Sequence, residues 1–341
     1  MNGRDPQQPA ACREEGLRAV DLSLHYPGGA PIIAHLDVAI APHAFTTIVG
    51  PNGCGKSTLL KALSRVLSPQ GGAVLLDGRE AAGYAPKAYA RQVGFLPQSS
   101  TAPEGITVAE LVGRGRYPHQ SLLQWTSEAD RAAVREAMAR TDVAELAGRR
   151  VAELSGGQRQ RVWIAMALAQ QTEILLLDEP TTYLDLAHQI DVLELCHELN
   201  TRFGTTVVAV LHDLNEACRY ADRIIVMKDG RIVTSGEPGA AITPATVREA
   251  FGLEVRVIED PVTGTPLVLP LRAGKRRGAA RQPRRPPEDR HEDRHENRGR
   301  LQAASASPQG RFAMKSISTS ASRASPVTPM QVRAGSRPGG K

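Results

Sequence analysis

A short β-branched run, "FTTIVG" (45–50), is followed along the chain by two short, continuous apolar runs, "EILLLDEP" (173–180) and "TTVVAVLHD" (205–213). Continuous Val, Ile and Leu without polar alternation fit strands buried on both faces. Glycine, carboxylate or histidine at their carboxyl ends fits a parallel sheet that presents a ligand site along one edge. Earlier, "LRAVDLSLHY" (17–26) and "PIIAHLDVAI" (31–40) alternate in part and predict an antiparallel pair or a sheet edge. The stretch "KSTLLKALSRVL" (56–67) predicts a helix directly after the first run, so strand, glycine turn and helix follow one another. Asp-Gly pairs occur in "GAVLLDGRE" and "RIIVMKDGRIVTSG"; the second lies between β-rich runs and predicts a hairpin. Residues 100–153, centred on "SEADRAAVREAMARTDVAEL", predict a mainly helical insert. The fold class is therefore α/β, with an antiparallel β part and an inserted helical part.

Composition changes where the pattern stops. Leu17 to Pro270 is rich enough in apolar residues for a large core, whereas the chain after Ala273 is dominated by Arg, Pro, Ser, Glu and Gly, with Phe312 as its one aromatic. Such a composition predicts a disordered tail. Charge divides at the same place. Residues 275–341 hold 16 Lys/Arg and 5 Asp/Glu, net +11, so the overall +6 leaves 6 − 11 = −5 for residues 1–274. The pI near 9.3 thus belongs to the tail and is no warrant for nucleic-acid binding by the folded part. Cys12, Cys54, Cys196 and Cys218 contain no C-x-x-C pair, and "MNGRDPQQPAACREE" has no apolar targeting core, which together predict a reduced, cytoplasmic setting. No run approaches membrane-spanning length, so any membrane role is expected to be peripheral or through a partner.

Chemistry concentrates in the turns. "GPNGCGKST" satisfies G-x-x-x-x-G-K-[ST]: Gly50, Pro51, Asn52, Gly53, Cys54 and Gly55 form a loop whose N–H groups can turn inward around phosphates. Lys56 can reach the β- and γ-phosphates, Ser57 offers a hydroxyl to Mg2+, and Thr58 lies in the first helical turn. At the end of "ILLLDE", Asp178 can hold Mg2+ and Glu179 can orient or deprotonate a water. Adjacent carboxylates equally suit a solvated surface, and the upstream phosphate loop favours the catalytic reading. His212 after "TTVVAVL" and Gln98 in "GFLPQ" can donate to a phosphate or reach a metal; taken singly, each also fits an ordinary structural residue. A second glycine turn, "LSGGQRQR" (154–161), opens what reads as another helix.

The ordered set "GPNGCGKST", Gln98, "LSGGQ", "ILLLDEP", "YLD" and "LHD" resembles the nucleotide-binding subunit of ABC transporters over about Leu17 to Leu271. The resemblance implies a P-loop NTPase core of RecA-like type within residues 15–272, a helical insert at about 100–160, and a tail at 273–341. It implies ATP and Mg2+ as cofactors. Two such chains would meet head to tail, so that Ser155, Gly156, Gly157 and Gln158 of one copy close over the ATP on the phosphate loop of the other, through the N-terminus of the following helix. One chain has one phosphate loop and one signature turn, so a dimer is implied. Residue by residue, Tyr26 resembles the aromatic that stacks on adenine, Lys56 to Thr58 the phosphate and Mg2+ ligands, and Gln98 the group that senses Mg2+ and couples to the membrane subunit. Asp178 resembles the Mg2+ carboxylate, Glu179 the residue that activates water, Asp185 the contact between the two sites, and His212 the γ-phosphate partner. "YPGG" at Tyr26 also fits a plain turn.

Longer runs, among them "LPQSSTAPEGITVAELVGRGRYPHQ", "LLLDEPTTYLDLAHQIDVLEL" and "DPVTGTPLVLP", resemble ATPases of bacterial ferric-siderophore importers, with haem and cobalamin importers as the alternative. This implies a peripheral protein on the cytoplasmic face of the inner membrane, multi-spanning permease subunits as partners, and indirectly a substrate-binding protein. "GRGRYPHQ" (113–120) would face the permease. A soluble, non-transport ABC ATPase is the remaining rival; it would usually carry paired domains or long coiled coils, which the chain lacks. The basic tail reads as a disordered extension, with anionic lipid contact as a second reading; His291 and His295 could bind a metal only weakly.

Overall fold

The computed structural model describes residues 16–98, 101–120, 127–182 and 184–271. The chain divides into two units, Met1–Gly278 and Ala279–Lys341, and all described residues lie in the first. The expected tail, with His291 and His295, lies outside the described residues, as does Tyr183.

The chain begins with β1 (Leu17–Leu24), β2 (Ile33–Ala39), β3 (Phe45–Val49), α1 (Lys56–Leu63), β4 (Gly71–Leu76), β5 (Arg79–Glu80), α2 (Pro86–Ala90) and β6 (Val93–Leu96). The helical insert follows as α3 (Val108–Gly113), a 3₁₀ segment at Arg114–His119, α4 (Glu128–Arg140) and α5 (Gly156–Leu168). The chain then returns to the sheet through β7 (Ile174–Asp178), α6 (Leu186–Phe203), β8 (Thr206–Val210), α7 (Leu214–Tyr220), β9 (Arg223–Lys228) and β10 (Arg231–Gly236). It closes with α8 (Pro238–Ala241), α9 (Pro244–Phe251), β11 (Val255–Glu259) and β12 (Pro266–Pro270).

The central sheet runs β10-β9-β3-β8-β7-β6. β9, β3, β8, β7 and β6 are parallel, and β10 closes one edge antiparallel to β9 through the expected Asp229-Gly230 hairpin. Alternate residues of each inner strand enter different cores. Phe45, Val49, Leu175, Leu177, Val207 and Ala209 join the cluster built with α5, α6 and α7. Ile48, Ile174, Leu176, Val208 and Val210 join the one built with α1 and the antiparallel sheet. Burial on both faces explains why these runs carry no polar alternation. The antiparallel sheet, β2-β1-β4-β5, contains the expected β1–β2 pair, and the first Asp-Gly, Asp77-Gly78, also turns a hairpin, between β4 and β5.

One expectation is shortened. The helix expected over 56–67 ends at Leu63, because Arg65 enters the left-handed region (φ 62°) and the N–H groups of Val66 and Leu67 both donate to the Lys61 carbonyl, at 2.8 and 2.9 Å.

The insert is fastened to the sheet by buried polar contacts. The Arg116 guanidinium, 5% exposed, donates to Asp130 Oδ1 (2.8 Å), to the Ala169 carbonyl at the end of α5 (2.7 Å) and to Gln171 Oε1 (2.9 Å). Asp130 also completes the capping box of α4: its Oδ2 accepts from Ser127 N at 3.0 Å, while Ser127 Oγ accepts from Asp130 N at 3.1 Å. The Ser127 hydrogen bonds, with Arg116 adding to them, hold the Asp130 carboxyl at about 2. His119 Nε2 donates to the Gln170 carbonyl at 2.7 Å, and Arg91 Nε to the Pro118 carbonyl at 2.9 Å.

Replacing Arg116 by Ala strands a buried carboxylate, and urea unfolding at neutral pH should show a loss of about 3 kcal/mol. Because the folded-state pKa of Asp130 lies below the ordinary 3.8, its contribution is complete above that value and fades as pH falls toward 2. The stability gap between wild type and Asp130→Asn should therefore narrow over the same interval.

Candidate functional site

Because β3, β7 and β8 run parallel, their carboxyl ends reach one edge and deliver three separate turns there. The turn after β3 is the glycine loop. At Gly50 (φ 156°) an added Cβ would lie 2.2 Å from the Met227 carbonyl oxygen on β9, so the backbone can pass only without a side chain. The loop bends back through Cys54 N to the Pro51 carbonyl (3.3 Å), and α1 starts at Lys56 with Gly55 at its cap and no side-chain acceptor. The first intrahelical bond runs from Leu59 N to Gly55 O at 2.9 Å. Helix geometry therefore leaves the Lys56, Ser57 and Thr58 N–H groups free to receive an anion.

The Lys56 side chain is buried and folded onto its own loop: Nζ donates to the Gly50 carbonyl at 2.8 Å and to the Pro51 carbonyl at 2.9 Å. Cys54 Sγ lies 4.0 Å from Nζ. Burial raises the thiol pKa more than Lys56 lowers it. Cys54 is thus a neutral packing group.

The turn after β7 carries the carboxylates. Ser57 Oγ donates to Asp178 Oδ1 at 2.7 Å, across 121 residues of sequence. Burial raises the Asp178 pKa, the Ser57 hydrogen bond opposes that rise, and the charge of Glu179 adds to it. The next residue leaves the strand abruptly: Glu179 has φ 54°, a left-handed conformation that costs a non-glycine residue about 1–2 kcal/mol. Its carboxylate is then held by three segments. Oε2 accepts from Gln98 Nε2 at 2.5 Å and from Thr182 Oγ1 at 3.0 Å. Oε1 lies 2.8 Å from His212 Nε2. These groups line a cleft of about 510 Å3 together with Gly53, Lys56 and Ser57. Thr182 was not singled out from the sequence; its signal was a hydroxyl three residues beyond Glu179.

The remaining expected site residues stand elsewhere. Among the described residues, the lining of this cleft includes none of Tyr26, Ser155, Gly156, Gly157, Gln158 or Asp185. Tyr26 is 40% exposed in a turn closed by Gly29 N on its carbonyl (2.9 Å), and the Lys61 ammonium lies 6.0 Å from its ring centroid. Ser155 caps α5 in a capping box: its Oγ accepts from Gln158 N, and Gln158 Oε1 accepts from Ser155 N, both at 3.2 Å. Helix geometry leaves the Gly156 and Gly157 N–H groups without an intrahelical acceptor. Asp185 caps α6, and the hydrogen bonds from the His188 N–H and ring lower its pKa. The chain therefore carries a cleft lined by the glycine loop and, apart from it, a second helix, α5, that opens on glycines.

Comparisons with known proteins identify the family. The profile of the ABC transporter family matches residues 33–182. The chain is 54% identical over 256 residues to the ferric enterobactin transport ATP-binding protein of Escherichia coli (strain K12), covering 75% of this chain and 94% of that protein. It is 46% identical over 253 residues to the iron(3+)-hydroxamate import ATP-binding protein of Bacillus subtilis (strain 168), covering 74% and 94%. Among solved structures, a dimeric, post-hydrolysis ATP-binding cassette with ADP and Pi bound superposes with a TM-score of 0.58 at 29% identity, covering 65% of this chain and 98% of that one.

Gly50→Ala forces a backbone carbonyl aside and should lower stability by about 2–3 kcal/mol. The urea midpoint measures this, and an unshifted midpoint would show that the loop and β9 can separate at no cost.

Proposed function

The chain belongs to the family of ABC transporter ATP-binding proteins, and from that premise we propose that it is the ATP-hydrolysing subunit of an importer for ferric siderophores, working as a pair of copies on a membrane permease. The observation that carries the catalytic part is the Glu179 carboxylate, in contact with Gln98, Thr182 and His212 in the same cleft that Lys56 and Ser57 line, with Ser57 bonded to Asp178. The cargo is supported by the two relatives that handle iron chelates. No described helix is long and apolar enough to cross a membrane; the attachment proposed is peripheral, through the permease on the cytoplasmic face. A substrate-binding protein would complete the assembly. Residues 15–272 form the ATPase domain of this proposal, and residues 273–341 are an appendage to it.

The N–H groups of the glycine loop and of the first turn of α1 bind the phosphates, and Lys56 exchanges its two carbonyl partners for phosphate oxygens. The hydroxyl of Ser57, one carboxylate oxygen of Asp178 and the amide oxygen of Gln98 are all hard oxygen donors, which fit Mg2+ retaining water and phosphate ligands. Held by these residues, Mg2+ would supply neutralisation of phosphate charge. A γ-phosphate entering the cleft competes for the donors of Gln98, Thr182 and His212. An oxygen of Glu179 is thereby released to accept a proton from water, while His212 turns its N–H to the phosphate. Tyr26 stacks on the adenine. Ser155, Gly156 and Gly157 of the second copy close the phosphate side, with Asp185 between the two sites, and loss of the γ-phosphate reopens the pair.

Glu179→Gln should still bind ATP and accumulate as an ATP-bound dimer in size-exclusion chromatography, with hydrolysis reduced roughly a hundredfold or more; hydrolysis at the wild-type rate would remove Glu179 from the mechanism. Lys56→Ala should weaken ATP binding itself. In iron-starved cells whose one copy carries Glu179→Gln, uptake of labelled ferric chelate should stop. Unchanged chelate uptake, with redundancy excluded, would move the cargo to haem or cobalamin. A chain ending at residue 272 should hydrolyse ATP at the full-length rate, and a folded but inactive truncation would give the tail a part in catalysis.

A further inference from the structure

The first turns of α5 and α6 are joined at two levels. At the lower one, Arg161 of α5 donates through Nη2 to Asp191 of α6 at 2.9 Å. One turn nearer the helix N-termini, the joint is His188. Its Nδ1 donates to Asp185 Oδ1 at 2.6 Å, and its backbone N–H donates to the same oxygen at 3.0 Å. The opposite edge of the ring lies against Gly157: a Cβ built on that residue would stand 2.3 Å from His188 Cδ2 and 2.8 Å from Nε2. The ring cannot swing away from Gly157 without breaking its bond to Asp185. One imidazole is therefore wedged between the glycine turn of α5 and the acidic cap of α6.

What lies around this wedge is open. Ser155, Gly156 and Asp185 are exposed, and Leu186 and Ile190, four residues apart on α6, leave 68% and 37% of their surfaces in solvent. Gly157 beneath them is buried. An exposed apolar pair beside a helix N-terminus is what a partner surface needs.

We infer that His188 is a positioning residue that sets the separation between the signature turn and the Asp185 turn, so that both reach the second copy as one rigid piece. This rests on the reading that these two turns close over the nucleotide of a second copy. His188 is not among the residues that line the cleft. Its loss should leave ATP binding to the single chain unchanged while weakening ATP-driven pairing, because two turns that must engage together would then be free to shift apart.

The test uses the full chain in the Glu179→Gln background, where ATP-bound pairs accumulate. Dimer formation is followed by light scattering across protein concentration, and binding of a fluorescent ATP analogue by dilute chain is measured in parallel. Adding His188→Ala should raise the concentration for half-dimerisation about tenfold, with analogue binding unaltered. His188→Asn, whose Nδ2 occupies the place of imidazole Nδ1 on Cγ, should recover most of the loss. Unchanged dimerisation of the Ala variant, equal loss of analogue binding, or failure of Asn to recover any pairing would each overturn the assignment. Absence of an ATP-dependent dimer in Glu179→Gln alone would instead overturn the paired-site reading beneath it.

Discussion

Parallel pairing is the constraint from which the site follows. When β3, β8 and β7 lie side by side in one direction, their exits share an edge, and residues more than a hundred positions apart become neighbours without any contact designed for that purpose. The cost is double burial. Each of these strands is buried on both faces and carries no charge before its end, so the charged groups of the site begin only where the strand ends. Ser57, Asp178, Glu179 and His212 all obey that rule: each stands at or just past a strand terminus or in the first turn of the helix that follows.

The site holds Lys56 and Glu179 with separate sets of partners rather than with each other. Lys56 is bound by two carbonyls, and Glu179 by an amide, a hydroxyl and an imidazole. A Lys–Glu ion pair across the cleft would have to be broken before a phosphate could enter, with a large desolvation term on both groups. Separate hydrogen bonds contribute less each and can be exchanged one at a time for those of an incoming anion. The left-handed turn at Glu179 serves the same arrangement, because it lifts the carboxylate off the strand axis and into reach of three segments.

Much of this was legible in the sequence because it is local or periodic. The glycine loop, the unbroken strands, the antiparallel β1–β2 pair and the β9–β10 hairpin follow from spacing and residue type, and the family resemblance placed the roles in order. What escaped is non-local or conformational. The shortening of α1 depends on Arg65 turning left-handed, which an arginine does not advertise. The Arg116–Asp130 tie joins the 3₁₀ segment at Arg114–His119 to the first turn of α4 and leaves no periodic trace. Thr182 and His188 look like ordinary polar residues until the fold brings one to Glu179 and the other against Gly157. The signature glycines themselves were read only as phosphate-facing, whereas Gly157 also has to be small for an imidazole in its own chain.

The separation of the cleft from the signature turn bears on kinetic order. A cleft completed only by another molecule has a turnover per chain that rises with chain concentration when the copies are dilute, and total rate then grows as the square of the amount of protein. A membrane partner that seats two copies side by side replaces bulk concentration with a fixed local one, in the millimolar range for short tethers. Hydrolysis then becomes first order in assembled complexes. The permease would in this way confine ATP consumption to chains already docked on it, because unassembled chains remain too dilute to pair.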